Sequence, residues 1–197
     1  MKPNAFGSRA SPTYAEGPPR QVPGFESLHR MVSLLLDERV PADGSVLVLG
    51  AGGGLELRAL ADVHAGWSFH GVDPSAAMLD LARQAIGPHG DRIQLHEGYV
   101  DVAPEGPFDG AVSLLTFHFI PLGERLDTLR QLRRRLKPGA PLVIAHISFS
   151  QTEPERSAWI ARHVAYPAGD DADPARLEAA RQAIGSRLSI LSPEAEE

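Results

Sequence analysis

The 197-residue chain contains no cysteine, which excludes disulfides, thiolate metal sites and a cysteine nucleophile. No apolar run reaches the roughly 18 residues that a membrane-spanning helix needs. The opening stretch, MKPNAFGSRASPTYAEGPP, has no apolar segment of the kind a secretory signal carries. The eight histidines include no H-x-x-x-H or H-E-x-x-H pair, so the usual helical zinc spacings are missing and no metal site is expected. No G-x-S-x-G nucleophile elbow is present either. Positive charge is not in excess: 19 Lys and Arg against 25 Asp and Glu leave a net charge of −6, which argues against a nucleic-acid-binding face. The one basic cluster, Arg130, Arg133, Arg134, Arg135 and Lys137, falls where a helix should end, and cations there complement the helix dipole.

What is present is a composition of 43% apolar and 22% charged residues, that of one soluble globular domain long enough to bury a core. A cytoplasmic location fits it. Residues 1–24 are polar and Pro/Gly-rich and read as a flexible leader or lid, closed by Pro23-Gly24. From 25 to 39 apolar residues recur at helical spacing. Val46-Leu47-Val48-Leu49 then reads as a strand buried on both faces. Helix-like and strand-like segments alternate from there. Strands are expected at Trp67–Val72, Ile93–His96, Gly110–Leu115 and Leu142–Ser148. Helices are expected at 55–63, from Pro74-Ser75 to Ile86, and from Leu122 to Leu136. This alternation predicts a doubly wound, Rossmann-like α/β fold with a mostly parallel sheet. Residues 153–166 and 174–188 read as tail helices across a turn-rich stretch from Pro167 to Pro174, and Ser192-Pro193-Glu194 reads as a fresh helix start.

Gly50-Ala51-Gly52-Gly53-Gly54 lies between the first strand and the first helix of the alternation. Glycines there let backbone approach a ligand, at the point of a doubly wound sheet where ligands bind. The dinucleotide fingerprint G-x-G-x-x-G would need glycine at position 55, which is Leu55. Asp73 stands nineteen residues past Gly54, at the end of the second strand, where a carboxylate can accept from both hydroxyls of a ribose. The two features point to a nucleoside-containing cofactor other than a dinucleotide.

Four segments in order resemble the class I S-adenosylmethionine-dependent methyltransferases. They are Val46 to Gly54, Gly71 to Leu79, Phe108 to Leu115, and Leu132 to Gly139 in the form L-x-x-x-L-K-P-G. The resemblance covers residues 25–148 and implies S-adenosylmethionine as cofactor, with a sheet in the order 3-2-1-4-5. It implies that Gly50, Ala51, Gly52 and Gly54 meet the methionine portion and that Asp73 meets the ribose. Pro74, Ser75 and Met78 would border the adenine, and Leu115 and Thr116 the methionine end. Val22-Pro23-Gly24-Phe25 is also similar to an element of tRNA wobble-uridine carboxymethyl-transferring enzymes and their relatives. That similarity implies a leader, including Tyr14 and Arg20, folded over the cofactor. The chain departs from the pattern at Val48, where the family often has an acid, and at Tyr99, where an acid often follows the third strand, here with Asp101 two residues on. Glu56 stands just beyond the loop, where it would orient the loop or the cofactor ammonium, or serve only as a first-turn helix acid.

Methyl transfer from a sulfonium relies chiefly on proximity and alignment, and a base is needed only where the acceptor must lose a proton. His118, just after the fourth strand, is the candidate catalytic residue, with a packed polar strand-end residue as the alternative. His146 reads as structural or pocket-lining. Trp159, Ile160, His163 and Tyr166 on the first tail helix read as packing, in a tail (149–197) placed to cover the acceptor site. The family's C-terminal antiparallel hairpin has no counterpart beyond the short Leu188–Leu191, so the fifth strand is expected at an edge, open to a homodimer. The leading expectation is a methyltransferase acting on a small molecule, off the membrane and without nucleic acid. The alternatives are a tRNA uridine-modifying relative, a non-catalytic binder of S-adenosylmethionine or S-adenosylhomocysteine, and a nicotinamide enzyme, which Leu55 disfavours.

Overall fold

The computed structural model describes residues 14–168 and 172–196; the expectations for residues 1–13 and for 169–171 of the turn-rich stretch lie outside them. The five apolar runs form β1 (Ser45–Leu49), β2 (Ser68–Asp73), β3 (Ile93–Glu97), β4 (Gly110–Leu114) and β5 (Leu142–Ala145). All pair in parallel, in the order β3-β2-β1-β4-β5. This is the expected doubly wound sheet, and its switch point lies between β1 and β4, where a crevice opens at the carboxyl ends of the strands.

The helices are α1 (Gly17–Gln21), α2 (Phe25–Asp37), α3 (Leu55–Val63), α4 (Ala76–Ala85), α5 (Leu122–Arg135), α6 (Glu155–Ala165), α7 (Pro174–Arg187) and α8 (Pro193–Glu196). Alternate residues of a strand face opposite ways, and β1 therefore serves two cores. Val46 and Val48 pack with Val32 and Leu36 of α2 and Leu57 and Leu60 of α3. Leu47 and Leu49 pack with Phe108, Phe117 and Leu132 on the other side. No helix among the described residues is long and apolar enough to cross a membrane.

β5 stops at Ala145, three residues before the expected Ser148. Its partner gives out there: Leu115 turns to φ 53° and donates its amide to the Ala145 carbonyl, which ends the ladder. Leu188–Leu191 is not a strand. It runs beside the end of the sheet, where the Ser189 amide donates to the His118 carbonyl and the Phe149 amide to the Leu191 carbonyl. Among the described residues no strand pairs with the outer edge of β5.

The basic cluster ends α5 as expected, and Arg135 does more than complement a dipole. Fully buried, it donates to the carbonyls of Asp101, Ala103 and Gln131 at 3.1–3.3 Å. It thus ties the 3-10 turn Val100–Val102 to the last turn of α5. Lys137 pairs with Asp109 at 2.6 Å.

Candidate functional site

The chain leaves β1 through the glycine loop and enters α3 at Leu55. Gly50, Gly52 and Gly54 take left-handed backbone, with φ of 81°, 48° and 79°, a region that costs an L-residue roughly 1–2 kcal/mol. Gly50 lacks room as well, since a Cβ there would stand 2.5 Å from Cγ2 of Thr116. The loop is fastened to β2. The amides of Gly50 and Ala51 donate to the Val72 carbonyl at 2.8 and 3.0 Å, and the Gly52 amide donates to Oδ2 of Asp73 at 2.9 Å.

The other oxygen of Asp73, Oδ1, accepts from the Ser75 amide at 2.9 Å across Pro74, and Oγ of Ser75 caps α4 by accepting from the Met78 amide at 3.3 Å. Asp73 is 4% exposed. Burial pushes its carboxyl above the ordinary range, and the two amides oppose that rise. Two amide hydrogen bonds leave lone pairs on both oxygens, so the group can still accept from a diol. Met78 is buried, with its methyl 3.7 Å from where a Cβ on Gly52 would stand. Tyr99, beyond β3, is exposed.

The leader contributes Tyr14. It opens the 3-10 turn Tyr14–Glu16, and its ring covers the loop so closely that a Cβ on Gly53 would stand 2.5 Å from Cδ1. The side chain of Arg20 is 75% exposed and pairs with Glu16 at 3.1 Å.

On the β4 side, Leu115 holds a left-handed backbone without being glycine, a strained conformation of the kind that clusters at ligand sites. Thr116 donates from Oγ1 to the Leu114 carbonyl at 2.9 Å. His118 is 4% exposed, and its Nδ1 accepts from the Ile147 amide at 3.3 Å. A ring that accepts at Nδ1 carries its proton on Nε2. The His146 ring lies 6.5 Å away, centroid to centroid. Burial lowers its pKa, and its Nε2 is 3.7 Å from Oε1 of Glu196. That carboxylate accepts from Arg125 at 2.6 Å, and Arg125 also donates to the carbonyls of Ser189 and Ile120. Sequence reasoning missed this cluster, because the partners stand 71 residues apart and no local pattern links them.

Glu56, in the first turn of α3, is 9% exposed, and its Oε1 has no hydrogen-bond partner. Burial, reinforced by the charge of Asp73, pushes its carboxyl up to about 8. In the tail, Ile160 and Val164 of α6 are buried, whereas Trp159 and Tyr166 are exposed and Arg162 lies over the Trp159 ring at 4.8 Å. A cleft of about 300 Å³ between α6 and α7, lined by Phe149, Ile160, Ile184 and Leu188, does not include the glycine loop.

A parallel sheet in this order, with a left-handed glycine loop after β1 and a buried acid closing β2, defines an α/β domain that binds a nucleoside cofactor. Residues 47–142 match the family described as methyltransferase domain, and the chain has the α/β Rossmann-like methyltransferase fold. It is 30% identical over 148 residues to the carboxy-S-adenosyl-L-methionine synthase of Chromohalobacter salexigens, a match covering 72% of this chain and 53% of that one. It is 28% identical over 124 residues to an uncharacterized methyltransferase of Anoxybacillus flavithermus, covering 60% and 55% respectively. The chain therefore spans little more than half the length of these curated relatives. Among solved structures, the CcbJ methyltransferase of Streptomyces caelestis aligns with a TM-score of 0.60 and 27% identity over 73% of this chain and 58% of its own.

Proposed function

We propose that the chain transfers a methyl group from S-adenosylmethionine to a small molecule, using the glycine loop and Asp73 to hold the cofactor. The observation that carries this reading is the Asp73 carboxylate, buried beneath the loop and bonded to the Gly52 and Ser75 amides. Bound there, the cofactor supplies a methyl group already activated on a sulfonium. Asp73 accepts from the ribose hydroxyls, and Ser75 and Met78 flank the base. Gly50, Ala51, Gly52 and Gly54 present backbone to the amino-acid portion, with Leu115 and Thr116 closing the far side. Tyr14 covers the loop. His118, just after β4, is the residue assigned to the acceptor side, and the rate comes from alignment. The acidic balance of the chain speaks against a nucleic-acid acceptor.

Calorimetric titration with S-adenosylmethionine, S-adenosylhomocysteine and a nicotinamide dinucleotide tests the reading. Binding of the two adenosyl compounds and not of the dinucleotide is expected, and failure of both adenosyl compounds removes it.

The leader element Val22-Pro23-Gly24-Phe25 and the synthase relatives favour a second reading, in which the product is a carboxylated cofactor. Gly24 there takes φ 67° and opens α2. Mass spectrometry of the cofactor after incubation with cell extract separates the two. Demethylated cofactor supports methyl transfer, and a gain of one carboxylate supports the second reading.

A further inference from the structure

Glu56 is a buried carboxyl group with one oxygen left unpartnered. It lies in the first turn of α3, directly beyond the glycine loop, it is buried, and Oε1 finds no partner in the protein. An unsatisfied buried carboxyl oxygen is costly, and such a group calls for an explanation. A neighbouring carboxylate makes the position worse, since Asp73 raises the cost of a second negative charge.

The charged groups of the elements packed on α3 are directed elsewhere. On α2, Asp37 faces His64, and His29 lies against Phe25 and feels Glu26. On α4, Arg83 pairs with Asp80. In the 3-10 turn Gly87–Arg92, His89 meets Asp62, and Arg92 donates to the carbonyls of Ala61, His64 and Trp67. On α3 itself, Arg58 reaches Asp62 and the Ala85 carbonyl. Asp73 is the charged group that acts on Glu56, and it repels.

We propose that Glu56 receives the α-ammonium group of the cofactor's amino-acid portion and gives up its own proton when that cation arrives. The inference rests on the cofactor reading above and adds a residue to it. Val48, near the end of β1, is apolar and buried, and the one orphaned carboxyl oxygen among the described residues is that of Glu56, in the turn that follows the loop and within reach of the Asp73 charge. An ammonium donor satisfies Oε1, and its charge offsets the repulsion from Asp73. The proton released is the one that burial keeps on the carboxyl at neutral pH. The arrangement selects for a free amino group on the ligand and is indifferent to the nucleoside.

The test uses S-adenosylhomocysteine, which carries the amino-acid portion, and 5′-methylthioadenosine, which lacks it. Titration at pH 7 in two buffers of different ionisation enthalpy should show about one proton released per S-adenosylhomocysteine bound and none with 5′-methylthioadenosine. Glu56→Gln should weaken S-adenosylhomocysteine roughly 10- to 100-fold, abolish the proton release and leave 5′-methylthioadenosine within twofold. Equal affinities of the wild type and Glu56→Gln for S-adenosylhomocysteine, or no proton release by the wild type, would overturn the assignment of Glu56 alone. Failure of the wild type to bind either nucleoside would instead remove the cofactor reading beneath it. The wild-type proton count stands even if the variant does not fold.

Discussion

The ring of Tyr14 occupies the space into which a side chain on Gly53 would project, with Cδ1 2.5 Å from the Cβ position. Gly53 is not among the residues with positive φ, so an alanine there meets the ring and not a forbidden backbone. Gly53→Ala should therefore cost about 1–3 kcal/mol by overpacking. In a Tyr14→Ala background the same substitution should cost almost nothing. A double-mutant cycle on thermal unfolding measures the coupling, expected at about 0.5–3 kcal/mol between contacting residues. Additive effects would show that the leader does not rest on the loop.

Asp73 holds the loop and faces the proposed ribose site at once, and two substitutions separate these roles. Asp73→Asn keeps an acceptor for one of the two amides, and Asp73→Ala leaves the Gly52 and Ser75 amides both unpaired. Both should weaken S-adenosylhomocysteine by at least about tenfold, the range of a hydrogen bond to a charged group. Asp73→Ala should also lower the melting temperature more than Asp73→Asn. Unchanged affinity in either variant would count against the ribose role.

Much of this arrangement was legible in the residues. Short apolar runs between glycines become buried parallel strands because both faces are covered, and the alternation with helices leaves few topologies open. Asp73 and the loop could be read because they lie on consecutive elements at fixed spacing. The end of β5 could not, because it depends on Leu115 adopting a left-handed backbone that leucine ordinarily avoids. Nor could sequence show that the Tyr14 ring packs on Gly53, since that contact depends on how the leader folds back over the loop. The role of Arg125 could not be read either, because its partner Glu196 lies 71 residues on.

That arginine should be a stability determinant. It is buried, paired with Glu196 at 2.6 Å, and bonded to the carbonyls of Ser189 and Ile120. Removing one member of a buried ion pair costs roughly 3–5 kcal/mol, because the other is left uncompensated. Arg125→Ala should fall in that range by denaturant unfolding, with Glu196→Gln milder because its carboxylate is partly exposed. Limited proteolysis should then cut first near Leu188–Ser192, and an unchanged cleavage pattern would mean that the pair does not hold the tail.

Glu56→Gln should stabilise the protein while it weakens the ligand. Burial raises the folded-state pKa of Glu56 to about 8 from an ordinary 4.5. A raised carboxyl leaves stability intact below the unfolded pKa and removes it as pH climbs toward the folded value. The neutral amide avoids that loss. The gain from Glu56→Gln should be small at pH 5 and grow by about 1.4 kcal/mol for each further pH unit toward pH 8. A pH-independent difference in melting temperature would show that Glu56 does not titrate in this window.

The opposite slope comes from the His70–His96 pair on β2 and β3. Nδ1 of His70 and Nε2 of His96 lie 3.0 Å apart with the rings stacked 5.2 Å centre to centre, so one ring must donate and the other accept. Protonating both would place two donors face to face. Burial lowers both pKa values, and for His70 the charge of His96 adds to the effect. The unfolded chain therefore binds more protons than the folded one as pH drops below about 6.5, and stability is lost in that direction. Replacing both by glutamine, which preserves a donor–acceptor pair without titration, should flatten the fall in melting temperature between pH 7 and 5. His29, His64, His146 and His163 are lowered too, so the slope should shrink and not vanish. A double variant that keeps the full wild-type slope would place the acid sensitivity in those other histidines.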